Sequence, residues 1–159
     1  MITKIKILLV SILVISFVGC SGNNNESESK SEAPKTVEFN LTGNDQMQYN
    51  LKAMVVKAGD KVKINFQNIG KMPAEQMSHN FVLLKPGVDI AAFAAKAVQA
   101  KDNDYIPQDE SQNIIVHSKL LGPGEKTVIE FNAPPKGMYK FICSFPGHYL
   151  TMQGNFIVR

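Results

Sequence analysis

The sequence predicts an all-β domain, a sandwich or barrel of about eight short strands with one helix on its outside. After residue 35, apolar and polar residues alternate along most of the chain, which is the pattern of half-buried strands. Turn-forming residues separate these segments. One alanine-rich segment breaks the alternation with helical spacing. A chain of 159 residues that also carries a leader has room for a single domain.

The strands are predicted from period-two alternation. The clearest cases are residues 37–41, 62–66, 128–131, 139–143 and 156–158, and further candidates are residues 54–57, 79–84 and 113–118. Turns such as Ala58-Gly59-Asp60 and Gly122-Pro123-Gly124-Glu125 lie between them. We expect these short strands to pair in antiparallel fashion.

A single helix is predicted over residues 89–98, in the long connection between the strands at 79–84 and 113–118. Asp89 is its N-cap candidate. Its apolar residues recur at helical spacing, at Ile90, Phe93, Ala94 and Ala97. We expect this helix to pack on the outside of the sheets.

Residues 1–19 have the order of a secretory signal peptide, with a charged start, an apolar run and a small residue at the end. The run is too short to span a bilayer comfortably. Cys20 directly follows Gly19, which resembles the lipobox of bacterial lipoproteins, although Phe17 stands where leucine is usual. The resemblance implies that Cys20 is lipidated and becomes the mature N-terminus. The alternative is an ordinary cleaved signal with an incidental cysteine.

Residues 20–35 are predicted to form a flexible polar tether, because this segment has no apolar residue larger than Ala33 or Pro34 to bury. Its root-mean-square reach is about 20 Å. The folded domain then spans residues 36–159. We expect an exported protein that is lipid-anchored to a bacterial membrane. Ser21 is not the aspartate that retains many lipoproteins in the inner membrane, so the outer membrane or periplasmic face is favoured.

The charge balance argues against nucleic acid as a partner. Two of the 17 basic residues, Lys4 and Lys6, leave with the leader, so 15 remain against 14 acidic residues. A near-neutral chain lacks the excess of positive charge that nucleic-acid binding requires.

Three potential metal ligands lie close together near the C-terminus. Cys143, His148 and Met152 fall in a predicted turn between two strands. A thiolate and two imidazoles in a plane, with a weak axial thioether, form a type 1 blue copper site. The best candidate for the second imidazole is His79, which begins an apolar strand. We expect His117 to be a solvated histidine or one on an edge strand.

Other uses of the cysteine are less favoured. A zinc site is conceivable, yet methionine is a poor zinc ligand and no second thiolate is available. A disulfide is not expected, because Cys20 is assigned to the lipid.

Several segments in order resemble the azurin and auracyanin type of cupredoxin, across residues 37–159. They are Thr42-Gly43-Asn44-Asp45-Gln46-Met47-Gln48-Tyr49, Met77-Ser78-His79-Asn80, Asp104-Tyr105-Ile106-Pro107, His117-Ser118-Lys119-Leu120 and Gly122-Pro123-Gly124-Glu125-Lys126. The resemblance implies a Greek-key β-sandwich of eight strands with one external helix.

The resemblance also implies roles for single residues. The trigonal ligands would be His79, Cys143 and His148, with Met152 axial. The backbone carbonyl of Ser78, where azurins usually carry glycine, would be a weak further contact. Three residues would support the ligands through hydrogen bonds, namely Asn80, Ser144 and Phe145.

We therefore expect an electron carrier with one copper ion, and not an enzyme. A nitrite reductase would need a second copper with three more histidines, and only His117 is left. A copper storage or delivery protein would favour exposed, exchangeable ligands. Transient docking to c-type cytochromes or respiratory complexes would use an apolar rim around the loop histidine, made of Met47, Met72, Met77, Phe145, Pro146, Gly147, Tyr149 and Leu150.

Overall fold

Two mixed β-sheets pack face to face in the computed structural model, which describes residues 33–159. The predicted leader, the lipidation site Cys20 and the tether as far as residue 32 lie outside the described residues. The nine strands of the described part are β1 Thr36–Asn44, β2 Gln48–Tyr49, β3 Ala53–Val56, β4 Lys61–Asn68, β5 Val82–Leu84, β6 Ile114–His117, β7 Lys126–Asn132, β8 Gly137–Ile142 and β9 Gln153–Val158.

One sheet has the order β2-β1-β4-β7 and the other has the order β3-β9-β8-β5-β6. Most neighbouring pairs are antiparallel, but β1 pairs with β4 and β3 pairs with β9 in parallel. The expectation of purely antiparallel pairing is therefore wrong for these two pairs. The chain crosses to the other sheet between β1 and β4, so the returning strand does not have to run opposite to the first. The Greek-key β-sandwich is confirmed.

The core lies between the sheets and follows the alternation of the strands. In β4, Val62, Ile64 and Phe66 are buried while the residues between them are partly exposed. From the other sheet, Phe141 and Phe156 are fully buried. Burying one such side chain stabilises the fold by about 1.5–3 kcal/mol, so this alternation fixes which face of each strand points inward.

The predicted helix is α2, Ile90–Gln99; the structure also has a single-turn helix α1, Ala74–Met77, which the sequence did not predict. The Asp89 side chain caps α2 by accepting hydrogen bonds from the amides of Ala91 and Ala92, at 2.9 and 3.1 Å. Phe93 and Ala97 face inward. The helix lies beside the turn at residues 148–150. Within residues 33–159, no helix has the length and apolar character needed to cross a membrane.

Short 3₁₀ turns at Lys101–Asn103, Gln108–Asn113 and His148–Leu150 connect the remaining elements. The strand predicted over residues 79–84 begins only at Val82. His79 forms a single bridge with Leu121, with N···O distances of 3.0 and 2.8 Å. Residues 80 and 81 thus lie outside the regular ladder, and their backbone groups need other hydrogen-bond partners.

Candidate metal centre

Three nitrogen and sulfur side chains meet at one end of the sandwich. His79 precedes β5, Cys143 directly follows β8 and His148 opens the turn before β9. Their facing atoms form a triangle: His79 Nδ1 to His148 Nδ1 is 3.2 Å, His148 Nδ1 to Cys143 Sγ is 3.6 Å, and Cys143 Sγ to His79 Nδ1 is 4.0 Å. All three residues are buried. The arrangement suits one small cation at its centre.

The orientation of the His79 ring is fixed from the opposite side. Its Nε2 lies 3.0 Å from the backbone carbonyl oxygen of Asn44, at the end of β1. A carbonyl only accepts hydrogen bonds, so Nε2 carries the proton and Nδ1 of the neutral ring keeps its lone pair toward the centre. This tautomer is the one a metal ligand needs, and the donor set therefore fits a copper ion.

The loop that carries the other two side chains is closed by its own backbone. The Cys143 amide donates to the Met152 carbonyl at 3.0 Å, and the Met152 amide donates to the His148 carbonyl at 2.8 Å. Gly147 has a φ of 78°, a conformation that favours glycine, and it turns the chain into the 148–150 turn. Met152 is fully buried beside the cluster.

Gly43 forms the wall of the site behind His79 and Met152. A Cβ at this position would lie 2.7 Å from Met152 Cε and 2.8 Å from His79 Cδ2. Such distances are well inside van der Waals contact. The absence of a side chain at Gly43 therefore lets the thioether and the imidazole occupy the same corner of the site.

The electrostatics favour neutral side chains in the metal-free protein. Burial raises the pKa of the Cys143 thiol to about 12, and hydrogen bonds from the amides of Asn80 and Phe145 oppose this shift. Burial and the neighbouring His79 lower the pKa of His148 to about 4. Burial also lowers the pKa of His79, against the effect of its bond to Asn44.

Asn80 connects the two segments that carry the cluster. Its side-chain oxygen accepts from the Ser144 amide at 2.8 Å, and its side-chain nitrogen donates to the Ser144 hydroxyl at 2.8 Å and to the Asp104 carbonyl at 2.8 Å. The Ser144 hydroxyl donates to the Tyr105 carbonyl at 2.8 Å. Asp104 and Tyr105 have positive φ angles of 54° and 59°, which direct two consecutive carbonyls at this pair. Asn80 and Ser144 thus join the segment that follows His79 to the segment that follows Cys143.

The remaining predicted residues differ in exposure. His117 lies exposed on the edge strand β6 and is not part of the cluster. Ser78 is buried and its hydroxyl donates to the Ala74 carbonyl at 2.7 Å. Phe145 is only 7% exposed and its ring packs on His148, so it lies beneath the surface. Of the other rim residues, Leu150, Gly147 and Met72 are exposed, and four are half-buried, namely Met47, Met77, Pro146 and Tyr149.

Sequence reasoning did not assign roles to Gly43, to the Asn44 carbonyl, or to the carbonyls of Asp104 and Tyr105. Each acts through backbone geometry, which side-chain chemistry does not reveal. The Gly43-Asn44 pair was visible only as part of a longer matching segment. The one available signal was Gly43 itself, because a glycine near the end of a strand can mark a place where other groups pack closely against the backbone.

The comparison with protein families decides the identity of this site. The family described as "Copper binding proteins, plastocyanin/azurin family" matches residues 35–159. The chain belongs to this family. Within this copper-binding family, the cluster of His79, Cys143 and His148 fits one type 1 copper ion.

Individual relatives of this chain are also azurins and auracyanins. Azurin of Pseudomonas aeruginosa is 34% identical over 123 residues, covering 75% of this chain and 82% of that protein. Auracyanin-A of Chloroflexus aurantiacus is 32% identical and covers 100% of this chain and 96% of its own. The solved structure of auracyanin A, described as a "blue" copper protein, superposes with a TM-score of 0.71 over 78% of this chain and 99% of its own, at 32% identity.

A third relative is the outer membrane protein H.8 of Neisseria gonorrhoeae, 36% identical over 118 residues and covering 72% of this chain and 63% of that protein. Together with the fold and the cluster, these findings identify a blue copper cupredoxin. The predicted function, electron transfer by one type 1 copper, is confirmed.

Metal binding is expected to release about one proton per ion between about pH 6 and 9. Because the Cys143 pKa is raised to about 12, the thiol is still protonated there and must lose its proton to become a ligand. His148, with its pKa lowered to about 4, is already neutral and contributes none. Calorimetric titration with Zn²⁺, which stays in one oxidation state, in buffers of different ionisation enthalpy measures the number. Release of no proton would contradict the raised thiol pKa.

Proposed function

We propose that His79, Cys143 and His148 would hold the copper ion, with the Met152 thioether as a weaker ligand and the Ser78 carbonyl as a weak further contact. The observation that carries this assignment is the buried triangle of donor atoms, with sides of 3.2, 3.6 and 4.0 Å. Met152 belongs to the same closed loop, and Ser78 directly precedes His79. Copper in such a site supplies one-electron chemistry by cycling between Cu(I) and Cu(II).

The protein holds the proposed ligands in fixed positions through hydrogen bonds from neighbouring residues. Asn80 cross-links the His79 segment to the loop through Ser144, and the amides of Asn80 and Phe145 donate to the cysteine sulfur. Hydrogen bonds to ligands hold them in place and withdraw electron density from the thiolate. Ligands that move little between the two oxidation states allow fast electron transfer.

Electrons enter and leave, in this proposal, through an apolar rim next to His148. Its exposed members are Leu150, Met72 and Gly147, with half-buried neighbours Met47, Met77, Pro146 and Tyr149. No hydrogen-bond partner from the described part of the chain reaches Nε2 of His148, the ring edge opposite the cluster. A small apolar surface of this kind suits brief docking to redox partners such as c-type cytochromes or respiratory complexes.

Leu150→Glu is expected to slow electron exchange with a cytochrome about tenfold while leaving the blue colour unchanged. Leu150 is 68% exposed, so a carboxylate there disturbs docking and not packing. Stopped-flow absorbance measures the rate. Val128→Glu is the matched control, because Val128 is 53% exposed on β7, which carries none of the rim residues. Equal rates in both variants would contradict docking through the rim.

We also propose that the protein is exported and lipid-anchored through Cys20, after removal of residues 1–19, with residues 20–35 as the tether of the 36–159 domain. The lipobox-like Gly19-Cys20 and the absence of aspartate at Ser21 support a place on the outer membrane or periplasmic face. One relative bears the name outer membrane protein H.8.

Cys20→Ser is expected to move the protein from the membrane fraction to the soluble fraction, because it removes the acylated thiol. Fractionation of expressing bacteria, with fatty-acid labelling, measures this. Cys143→Ser controls for loss of a cysteine and should stay with the membrane. A Cys20→Ser protein that still pellets with the membrane and carries label would refute the anchor.

A carrier, and not a copper store or an enzyme, is the role that the buried ligand set supports. Ligands that are 0–2% exposed cannot readily exchange metal with a partner. Cyclic voltammetry of the copper-loaded protein is expected to show one reversible one-electron wave. Loss of the metal on reduction would favour delivery instead.

A further inference from the structure

The peptide between Asn80 and Phe81 is held by two side-chain hydroxyls. It lies after the bridge at His79 and before β5 begins at Val82, outside the regular ladder. The Asn80 carbonyl accepts from the Tyr49 hydroxyl at 2.5 Å, and the Phe81 amide donates to the Ser118 hydroxyl oxygen at 2.9 Å. Within residues 33–159, the Tyr49 hydroxyl is the one donor that reaches the Asn80 carbonyl.

Tyr49 is itself fixed in the core. It lies on β2, is 2% exposed, and its ring contacts Phe66 and Phe141 at centroid distances of 6.0 and 5.6 Å. These contacts fix the orientation of the ring, so that the Tyr49 hydroxyl points toward the Asn80 carbonyl. The bond joins β2, in one sheet, to the segment that precedes β5 of the other sheet, at the end of the sandwich where the predicted metal ligands lie.

Asn80, whose carbonyl accepts this hydrogen bond, also contacts the loop that carries Cys143. Its amide donates to the Cys143 sulfur, and its side chain is bonded to Ser144, the next residue in the loop. The carbonyl that Tyr49 holds belongs to the same residue as that amide. A shift of the Asn80 backbone would therefore change the distance between its amide and the sulfur.

We propose that Tyr49 is a positioning residue that holds the Asn80 amide against the Cys143 sulfur and thereby raises the reduction potential of the copper site. The inference rests on the assignment of His79 and Cys143 as copper ligands. A hydrogen bond to the sulfur makes the thiolate a weaker donor, which disfavours Cu(II) relative to Cu(I). Loosening that bond lowers the potential.

Tyr49 is not a relay that is itself oxidised. Loss of an electron from a phenol is coupled to loss of its proton, and the partner here is a backbone carbonyl, which takes no proton. The hydroxyl thus acts through geometry alone.

Tyr49→Phe tests the proposal, because it removes the hydroxyl and keeps the ring between Phe66 and Phe141. Tyr139→Phe is the matched control. Tyr139 is also buried, at 6% exposed, and its hydroxyl also donates to a backbone carbonyl, that of Pro135 at 2.6 Å. Pro135 precedes β8, whereas Cys143 follows its other end. Ser118→Ala, which frees the other side of the same peptide, is a second variant.

The copper-loaded full chain with Tyr49→Phe is expected to have a lower potential, equivalent to roughly a threefold higher ratio of oxidised to reduced protein at fixed solution potential. Ser118→Ala shifts the potential in the same direction. Tyr139→Phe leaves it at the wild-type value. Equal potentials in wild type, Tyr49→Phe and Ser118→Ala would overturn the proposal, and so would an equal shift in Tyr49→Phe and Tyr139→Phe.

A metal-free measurement separates this proposal from the ligand assignment. Amide hydrogen exchange by nuclear magnetic resonance should be faster at Asn80 in Tyr49→Phe than in wild type or Tyr139→Phe. Unchanged exchange at Asn80 would refute the positioning role. A wild-type protein that binds copper without a blue colour would instead refute the ligand assignment, whatever the exchange rates.

Discussion

Replacing Cys143 by serine is expected to abolish the blue colour and to weaken copper binding by several orders of magnitude. The intense colour of type 1 copper requires the cysteine thiolate, and a serine hydroxyl does not ionise at neutral pH. The fold should persist, because serine is similar in size and its oxygen can accept the amides of Asn80 and Phe145. Visible absorption and competition with a copper chelator measure the effect, and circular dichroism checks folding.

The other cysteine provides the control. Cys20→Ser leaves residues 33–159 intact and should remain blue with one copper per chain. A Cys143→Ser protein that is folded and still blue would contradict the assignment of the thiolate.

Gly43→Ala is expected to distort the copper site and to lower the free energy of unfolding by about 1–3 kcal/mol. The added methyl would lie 2.7 Å from Met152 Cε and 2.8 Å from His79 Cδ2, and both side chains are fully buried. One of them must move. Electron paramagnetic resonance and visible spectra of the copper-loaded variant measure the distortion, and urea unfolding measures the stability.

Gly137→Ala is the matched control for this substitution. Its added Cβ would lie 3.4 Å from the nearest atom, in Tyr139, at the start of β8 and away from the ligands. It should leave the copper spectra unchanged. Identical spectra in Gly43→Ala and wild type would show that the wall at Gly43 does not shape the site.

Local periodicity predicted the elements well but not all of their partners. The alternation of Val62, Ile64 and Phe66 marked β4, and Asp89 marked the start of α2. The parallel pairing of β1 with β4 depends on how the chain crosses between sheets, which no local pattern encodes. β2 has only two residues, too few to show a period.

The type of metal site could be predicted from the sequence, because a cysteine, a histidine and a methionine seldom occur so close together. Cys143, His148 and Met152 lie in one loop, and His79 was the better of two remaining histidines. The residues that hold the predicted ligands in place were harder to predict from the sequence, because they lie on other strands, far away along the chain. Tyr49, for example, lies 31 residues before the Asn80 carbonyl that it contacts, and its hydroxyl is invisible to a pattern of apolar and polar residues.

X-ray absorption at the copper edge of the copper-loaded full chain tests the central claim most directly. If His79, Cys143 and His148 hold the metal, the copper has one sulfur and two imidazole nitrogens as near neighbours, and Cys143→Ser removes the sulfur. A copper surrounded only by nitrogen and oxygen in the wild-type protein would contradict the account.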